Sequence, residues 1–465
     1  MGESLQFNSL GLKSFLSRCR AGDVSPALRE LRGVRVLGIN PPVYDFAWFD
    51  LWSKPVGLLT LLQTLRLAGN EVDLIDCLYE GRTKPMDFGR WKVERTPVEK
   101  PEPYASAEIP RNYYRFGLNG AALEKRLASR SGTTRPDVIF VTSGMTYWYP
   151  GVFEVVKKAK TIFPDVPVVL GGIYARLCPE HAAQSGADFI QTEPFSLSYS
   201  SYSLPLSLPW CSQDVSPALD LYDAPSYGVL ITSWGCPLGC EYCAARKLWP
   251  GFAQRRLEDV FADLAFQTSL PTVTDMAFYD DALLLDKERH FYPLCRHIRE
   301  RYPALRLHTP NGLHVAQLDD ECCRTLFDTG FRTLRLSLEG TDNYTAKAGS
   351  GKTTVSDYAR AVESLLRAGY REGAIETYIL AGLPGQYPAD IRASIETVKK
   401  LGGRPKLAEF SPIPGTPLYE KSLELTPRIA DEPLLHNNTV YAPYVAKTLS
   451  PRELQNLKDL AAGRE

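Results

Sequence analysis

Three cysteines stand close together in the stretch "WGCPLGCEYCAARK". Cys236, Cys240 and Cys243 are spaced four and then three positions apart. Thiolates on one short loop can converge on one polynuclear centre, and a four-iron cluster held by three of them keeps one iron open to an external ligand. A structural zinc ion needs a fourth Cys or His nearby, whereas His290 and His297 are far downstream. Zinc-binding or simply buried thiols are the alternatives.

A repeating β/α pattern positions these cysteines. It begins with "YGVLITSWG", directly before the first cysteine, and returns in five more strand-like segments separated by stretches of helix length. The five segments are "TDMAFYDDALL", "LRLHTPNGL", "FRTLRLSLEG", "AIETYILAGLPG" and "LAEFSPIPGTPLY". Six such units favour a partial parallel (β/α)6 barrel over residues 227–425, in which the loops after the strands carry the chemistry.

The first half of the chain has its own alternation of short apolar strands and helices. Its strand-like segments are "VRVLGIN", "EVDLID", "PDVIFVTSG", "VPVVLGG" and "GADFIQT". This pattern predicts a doubly wound, Rossmann-like α/β domain over residues 34–193, whose ligands bind beyond the carboxyl ends of the strands. We further predict a helical extension over 1–33, a linker over 194–226 and a closing segment over 426–465. Residues 77–117 show no periodicity and are expected to form an insertion loop.

The composition excludes several classes of function. The 465 residues carry a formal net charge of −1, whereas a nucleic-acid surface needs an excess of clustered Lys and Arg. No apolar run approaches the roughly 20 residues of a membrane span, and the N-terminus lacks signal-peptide features. We therefore expect a cytoplasmic protein with no membrane span and no nucleic-acid partner. The seven cysteines outside the cluster, Cys322 and Cys323 among them, indicate core-filling thiols rather than a disulfide framework.

The stretch "AKAGSGKT", residues 346–353, satisfies the loose phosphate-loop pattern. A phosphate loop must lead directly from a strand into a helix, so that its amides surround the phosphate. Here the preceding strand is expected to end near Leu338, and "EGTDNYT" intervenes. We predict that this stretch does not bind a nucleoside triphosphate.

Cys236, Cys240 and Cys243, with the aromatic Tyr242 before the last cysteine, resemble the signature of the radical S-adenosylmethionine (radical SAM) superfamily. The resemblance covers most of the predicted barrel. It implies that the cysteines hold a [4Fe–4S] cluster and that SAM chelates the open iron. It also implies that an external donor such as flavodoxin or ferredoxin supplies the electron that cleaves SAM to methionine and a 5′-deoxyadenosyl radical. The barrel orients and shields this chemistry.

The same resemblance implies SAM contacts at the ends of several strands. The implied residues are Tyr242 beside the cluster, Asp280 and Asp281 where many members have a Gly-Gly-Glu turn, Ser337 and Glu339 on the fourth strand, and Gly382, Pro384 and Pro414 in the segments that flank adenine. The two aspartates depart from the family pattern. An ordinary β/α turn is the alternative interpretation of each position.

The first domain resembles the cobalamin-binding domain that precedes the barrel in one large radical SAM subclass. Ser143 follows the third strand, and Gly171 and Gly172 follow the fourth, where that family surrounds the nucleotide tail of cobalamin. Glycine allows the backbone to approach a bulky ligand closely. The same three residues are also common in ordinary loops.

The loop after the first strand, "PPVYDFAWFDLWSKPVG", lacks the Asp-x-His-x-x-Gly motif with which some cobalamin domains supply a histidine to cobalt. It contains no histidine at all. We therefore expect cobalamin to be bound without an axial imidazole from the protein. Tyr44, Trp48 and Trp52 are candidates to pack against its lower face or to lie in a domain interface.

Together these resemblances imply an enzyme with three cofactors: a [4Fe–4S] cluster, SAM and cobalamin. The predicted reaction is methyl transfer to an unactivated carbon of a small-molecule or peptide substrate. A 5′-deoxyadenosyl radical removes a hydrogen atom that no base could remove as a proton, and methylcobalamin offers a methyl group to the resulting carbon radical. The alternatives are cyclisation, rearrangement or oxidation on the same scaffold, and a non-catalytic cobalamin or redox sensor.

Overall fold

The computed structural model describes residues 9–17, 22–24, 31–193, 215–249, 251–351 and 353–464. The predicted linker over 194–226 falls largely outside these described residues. The chain divides into two compact units. The first unit consists of Met1–Ala105 and Pro110–Pro225, and the second unit consists of Ser106–Ile109 and Ser226–Glu465.

The first unit contains a five-stranded parallel sheet. The strands of this unit are β1 (Arg35–Asn40), β2 (Val43–Asp45), β3 (Glu71–Asp76), β4 (Arg82–Pro85), β5 (Trp91–Val93), β6 (Arg95–Val98), β7 (Tyr113–Phe116), β8 (Val138–Val141), β9 (Val168–Leu170) and β10 (Phe189–Ile190). The order across the sheet is β10-β9-β8-β1-β3, and all neighbours are parallel. The doubly wound sheet predicted from the sequence is therefore confirmed. Its topological switch point lies between β1 and β8, where ligands of such sheets bind.

Helices pack on this sheet and account for its apolar strands. Every residue of β8 and β9 is buried, as expected for parallel strands covered on both faces. Among its described residues, the first unit has the helices Ser9–Leu16, Val56–Leu67, Cys77–Glu80, Gly120–Ala128, Tyr149–Ile162, Ile173–Leu177 and Pro179–Ala182. The first of these lies in the predicted N-terminal extension.

Residues 77–117, expected to form an insertion loop, contain regular structure instead. β7 pairs antiparallel with β2 and β6, and β4 pairs antiparallel with β5. The strands β4, β5 and β6 have only three or four residues each and are mostly exposed or half-buried. Such short strands show no alternation of apolar and polar residues, which is the pattern that reveals a strand in a sequence. The insertion-loop prediction is wrong for this reason.

The second unit is an open parallel barrel. Its strands are β11 (Tyr227–Leu230), β12 (Ser233–Gly235), β13 (Phe252–Gln254), β14 (Asp275–Phe278), β15 (Arg306–His308), β16 (Leu313–His314), β17 (Phe331–Glu339), β18 (Ile375–Ala381) and β19 (Arg404–Glu409). The wall has the order β11-β14-β15-β17-β18-β19, and β16 pairs with β17. All six strand-like segments of the predicted (β/α)6 barrel are thus confirmed as strands of one sheet.

The core of the second unit lies between this wall and an outer layer of helices. Leu334, Leu336 and Leu338 of β17 share one apolar cluster with residues of the helix Val355–Ala368. The helices of this unit are Ala245–Leu248, Leu257–Thr268, Tyr292–Arg301, Asp320–Thr329, Asn343–Ala348, Val355–Ala368, Pro388–Lys400, Pro417–Leu425 and Pro451–Ala462. Among the described residues, no helix is long and apolar enough to cross a membrane.

The phosphate-loop pattern lies in a different context from the one that phosphate binding requires. Ala346 to Ala348 form the last turn of the helix Asn343–Ala348. The glycines Gly349 and Gly351 therefore follow a helix rather than a strand, and Lys352 is outside the described residues. This context agrees with the prediction against nucleotide binding.

A helical glycine in the first unit generates a stability prediction. A Cβ atom at Gly151 would overlap the carbonyl oxygen of Pro42, whereas a Cβ atom at Gly57, also in the first turn of a helix, would meet open space. We expect Gly151→Ala to lower the free energy of unfolding by about 1–3 kcal/mol through overpacking. Gly57→Ala should be neutral or stabilise by up to about 1 kcal/mol. Chemical denaturation of both variants checks this, and equal effects would contradict the close contact.

Candidate active site

The cysteine loop follows β11 at the carboxyl end of the barrel wall. The antiparallel pair of β12 and β13 frames it, and the helix Ala245–Leu248 follows. Cys236 and Cys240 are half-buried, Cys243 is exposed, and all three are free thiols. The backbone N–H of Ala245 donates a hydrogen bond to Cys243 Sγ over 3.4 Å. The loop therefore presents three accessible sulfurs at the edge where parallel barrels hold their chemistry.

A buried carboxylate holds the segment that leads into this loop. Asp280, two residues after β14, accepts hydrogen bonds from the backbone N–H and the hydroxyl of Thr232 over 3.0 and 2.7 Å, and from the Ser233 hydroxyl over 2.7 Å. Burial raises the pKa of Asp280, and these hydrogen bonds oppose that rise. The observed role of Asp280 is to position the chain before the cysteines. Its predicted contact with SAM stays a prediction.

A cavity of about 200 Å³ lies beside the three cysteines. Tyr242, Asp280 and Asp281, all expected from the sequence to contact SAM, line it together with the cysteines. Partial burial and the neighbouring charge of Asp280 raise the pKa of Asp281 to about 6. The structure thus brings together the metal-ligand and cofactor candidates from two different strand ends.

The loop after the third barrel strand contributes residues that were not predicted from the sequence. Thr309, Asn311, His314 and Gln317, which follow β15, also line the cavity. The Asn311 side chain donates hydrogen bonds to the backbone carbonyls of Tyr279 and Asp280 over 3.0 and 3.1 Å. It therefore ties the loop after β15 to the loop after β14. The rule that residues after barrel strands carry chemistry was the available signal for these positions.

Ser337 and Glu339 lie next to the residues of the cavity wall. Gly312 lines the cavity, and a Cβ atom there would overlap Ser337 Oγ. The Tyr242 phenol is hydrogen-bonded to Glu339 and Cys240, and burial, followed by the Glu339 charge, raises the pKa of this phenol. Ser337 and Glu339 therefore each lie next to a residue that lines the cavity.

The predicted adenine-flanking residues do not line this cavity. Gly382 has φ of +87°, and a Cβ atom there would lie 2.6 Å from Ala442 Cβ. The carbonyl of Pro384 accepts a hydrogen bond from the Tyr344 hydroxyl. Among the described residues that line the cavity, neither these two nor Pro414 is present. None of the three lines the cavity beside the cysteines, and their contact with adenine stays a prediction.

The cysteine loop offers three thiols and contains no fourth Cys and no His. Zinc needs its ligands around a single ion, whereas each thiolate of a four-iron cluster binds a different iron. Although Cys243 as a residue is exposed, desolvation by the surrounding atoms raises the pKa of its thiol to about 11, so ligation requires the positive charge of bound iron. The donor set fits a cluster better than zinc.

A second site candidate lies at the carboxyl edge of the sheet in the first unit. The Ser143 hydroxyl donates a hydrogen bond to the Gly171 carbonyl over 2.6 Å and accepts one from the Ala175 N–H over 3.3 Å. Gly172 has φ of +94°, and a Cβ atom there would overlap the backbone of Ser143. The predicted Ser143, Gly171 and Gly172 are therefore in mutual contact, and only glycine fits at position 172.

The same edge exposes apolar side chains. Phe49 is 70% exposed, and Leu51, Met145 and Ile173 are each at least 40% exposed. These are four of the five exposed large apolar side chains among the described residues of the first unit. They follow β1, β8 and β9, the strands around the switch point. Exposed apolar side chains on neighbouring loops suit contact with an apolar or flat ligand.

The aromatic residues proposed from the sequence for this surface have other roles. Trp52 is completely buried, and its indole N–H donates a hydrogen bond to the Phe88 carbonyl over 3.1 Å. The Tyr44 hydroxyl donates to Glu154 over 3.1 Å, and Trp48 packs against a small apolar cluster that includes Phe116. The expected packing of Trp52 against the lower face of cobalamin is wrong because the chain turns its ring into the core, and its place in a domain interface stays a prediction. Phe49 is the exposed aromatic residue of this loop.

Two family models match the chain. The model of the B12 binding domain matches residues 116–195, and the model of the radical SAM superfamily matches residues 230–398. This chain combines a B12-binding domain with a radical SAM domain. Both sequence resemblances are thereby confirmed, and with them the cofactor set of a [4Fe–4S] cluster, SAM and cobalamin.

Individual proteins similar to this radical SAM enzyme are distant. A protein of Pyrococcus horikoshii named uncharacterized methyltransferase PH0819 is 23% identical over 332 residues, which are 62% of this chain and 70% of the relative. The radical SAM methyltransferase TsrM from Kitasatospora setae has a TM-score of 0.58 at 17% identity, covering 84% of this chain and 76% of TsrM. The cobalamin-dependent SAM radical enzyme OxsB has a TM-score of 0.53 at 11% identity, covering 92% of this chain and 59% of OxsB. The two structures share the fold.

The residues present fit these cofactors. The cysteine loop supplies three thiols for a cluster, and the adjoining cavity offers Asp281 and Asn311 to the polar groups of SAM. In the B12-binding domain, Gly172 leaves room next to Ser143, and the exposed apolar side chains suit a flat macrocycle. None of the six histidines of the chain belongs to the loop after β1.

Iron content tests the role of the cysteines. Replacing Cys236, Cys240 and Cys243 by Ala should abolish the bound iron, about four atoms per chain in the reconstituted parent, and all cleavage of SAM. Cys322→Ala and Cys323→Ala are matched controls, because both thiols are completely buried in the core; they should keep iron and SAM cleavage. Retention of iron by the triple variant would exclude these cysteines as cluster ligands.

Electron paramagnetic resonance of the Co(II) form tests the histidine-free site. We expect the cobalamin-loaded protein to show no nitrogen superhyperfine splitting, because the loop after β1 offers no imidazole. Axial nitrogen splitting in the spectrum contradicts this expectation. Failure of the intact protein to bind any cobalamin contradicts the cobalamin site itself.

Proposed function

We propose that this radical SAM enzyme transfers a methyl group to an unactivated carbon of its substrate. One observation carries the proposal: a barrel whose cysteine loop borders a cavity is joined in one chain to a B12-binding domain. Bound together, the cofactors supply a radical that abstracts hydrogen from unactivated carbon and a transferable methyl group. A radical generator alone has no need of a methyl carrier.

The names of the similar proteins support the same reaction. PH0819 is named a methyltransferase, and TsrM is described as a radical SAM methyltransferase whose structures contain cobalamin and a [4Fe–4S] cluster or tryptophan substrate. The substrate of this chain is a separate matter, since the barrel residues that meet it decide its identity.

The chain's own residues supply position and shielding. We propose that Asp281 and Asn311 orient SAM at the cavity, and that Asp280 keeps the cysteine loop in place through Thr232 and Ser233. Ser143 and the Gly171–Gly172 turn are proposed to contact the nucleotide tail of cobalamin. The enzyme requires an external one-electron donor such as flavodoxin or ferredoxin.

Isotope labelling tests methyl transfer. The anaerobic holoenzyme is incubated with a strong reductant, SAM deuterated on its methyl group, and extract of the source organism as the pool of substrates. We expect 5′-deoxyadenosine, S-adenosylhomocysteine and a metabolite heavier by one labelled methyl group, because SAM serves both radical formation and remethylation of cobalamin. The cysteine triple variant is the control for background methylation.

The two nucleoside products separate the alternatives. Accumulation of 5′-deoxyadenosine with S-adenosylhomocysteine at background would replace methyl transfer by cyclisation, rearrangement or oxidation. Absence of both products with every substrate pool would favour a cobalamin or redox sensor.

A further inference from the structure

The inner face of the barrel wall is polar. Successive residues of a strand face opposite sides, and Leu334, Leu336 and Leu338 of β17 face the outer helices. The intervening residues, Arg335 and Ser337, therefore face the interior of the barrel. The same alternation puts Glu376 and Tyr378 of β18 on the inner face, because Ile375 and Ile379 belong to the outer core.

Three cations surround one carboxylate on this inner face. Arg335 Nε lies 3.0 Å from Glu376 Oε2, Lys406 Nζ lies 3.2 Å from Glu376 Oε1, and Arg404 Nη1 lies 4.0 Å from the same oxygen. The group therefore has an excess of two positive charges. Although desolvation opposes it, Lys406 and Arg335 hold the pKa of Glu376 below its usual value. One cation is enough to neutralise a carboxylate. An ion pair with Glu376 therefore does not explain why two further cations lie beside it.

This cationic cluster, defined as Arg335, Arg404 and Lys406 around Glu376, adjoins the cavity beside the cysteines. Arg335 Nη1 donates a hydrogen bond to the Tyr378 hydroxyl over 2.8 Å, and that hydroxyl donates to the Pro310 carbonyl over 3.2 Å. Pro310 stands between Thr309 and Asn311, and both of these line the cavity.

Strand geometry gives the separation between the cationic cluster and the cavity. Ser337 is the next inner residue of β17 after Arg335, about 7 Å further along the strand. It contacts Gly312 of the cavity wall. The cationic cluster is therefore one layer of side chains below the cavity.

We propose that Arg335 and Lys406 bind an oxyanion group of the substrate, a carboxylate or a phosphate. Guanidinium and ammonium groups form charge-assisted hydrogen bonds with oxyanions, which are stronger than neutral ones. The Tyr378 hydroxyl, which accepts from Arg335 and donates to the Pro310 carbonyl, positions the guanidinium. Lys406 keeps 39% of its side chain exposed, so it can turn to an incoming anion at low cost. This inference rests on the proposed function, because it names the class of substrate for the same barrel.

We call this proposed oxyanion site the anchor. A titration with simple anions tests it without knowledge of the substrate. Inorganic phosphate and acetate are titrated into the holoenzyme, and the rise in the midpoint of thermal unfolding is followed to saturation. For Lys406→Met we expect the half-saturating concentration of at least one anion to increase about tenfold. This is the effect expected from the loss of one charge-assisted hydrogen bond. Glu376→Gln should decrease it, because the internal competitor for the cations is removed.

Lys458→Met is the matched control. Lys458 Nζ pairs with Glu409 Oε1 over 2.9 Å, and Glu409 is the last residue of β19, the strand that also carries Lys406. This variant loses a lysine and an ion pair of similar exposure, and its half-saturating concentrations should equal those of the parent. Equal concentrations for Lys406→Met and Lys458→Met with both anions would overturn the proposal. Opposite shifts for Lys406→Met and Glu376→Gln are not expected of a merely structural ion pair.

A second experiment separates this proposal from the proposed function. The extract is divided on an anion-exchange resin, and the labelling reaction is run on the retained and the unretained pools. Labelled methyl product from the retained pool supports the anchor, and its loss after phosphatase treatment of the pool identifies a phosphate rather than a carboxylate. Labelled product only from the unretained pool overturns the anchor and leaves methyl transfer intact. No labelled product in either pool counts against methyl transfer, and the anion titration then decides the anchor.

Discussion

The barrel site depends on the hydrogen bonds that the buried carboxylate of Asp280 accepts. A carboxylate without water needs hydrogen bonds to remain buried, and Thr232 and Ser233 supply them from the segment that precedes the cysteines. The backbone carbonyl of Asp280 accepts a further hydrogen bond from Asn311. One residue thereby connects the ends of three barrel strands. The cysteine loop has little regular structure of its own, so its position follows from this connection.

Both units place their candidate ligand-binding residues at the carboxyl ends of parallel strands. These residues are apolar in the first unit and polar in the second. In the B12-binding domain, the loops after the strands expose Phe49, Met145 and Ile173. In the radical SAM barrel, the corresponding loops carry thiols, carboxylates and an amide. An apolar edge suits contact with a large flat ring, and a polar edge suits a metal cluster and a small charged cosubstrate. The sheet geometry is shared, and the loop residues decide the ligand.

In the barrel wall, successive side chains of a strand face opposite sides, so one side packs against helices and the other side is available for binding. The outer residues of β17 and β18 pack against helices. The inner residues include charged and polar side chains, and Asp275 pairs there with Arg306 as Glu376 pairs with Arg335. Completely apolar strands such as β8 and β9 of the first domain offer no such surface. The excess of positive charge around Glu376, supplied by Arg335 of β17 and by Arg404 and Lys406 of β19, is thus a property of one face, which neither the net charge of the chain nor its composition reveals.

Local patterns determined what the sequence could reveal. The three cysteines lie within eight residues of chain, so their spacing indicated one shared metal centre and carried the resemblance that implied the cluster. Apolar runs of ordinary length predicted both sheets. Only the tertiary structure decided contacts between distant segments: Asp280 with Thr232, Glu376 with Arg335, Gly382 with Ala442. The short strands of residues 77–117 could not be predicted for a related reason. Three or four exposed residues form a strand only when another strand pairs with them. Sequence patterns report the interactions of neighbours along the chain, whereas the role of a polar side chain such as Asp280 depends on which distant donors folding brings to it.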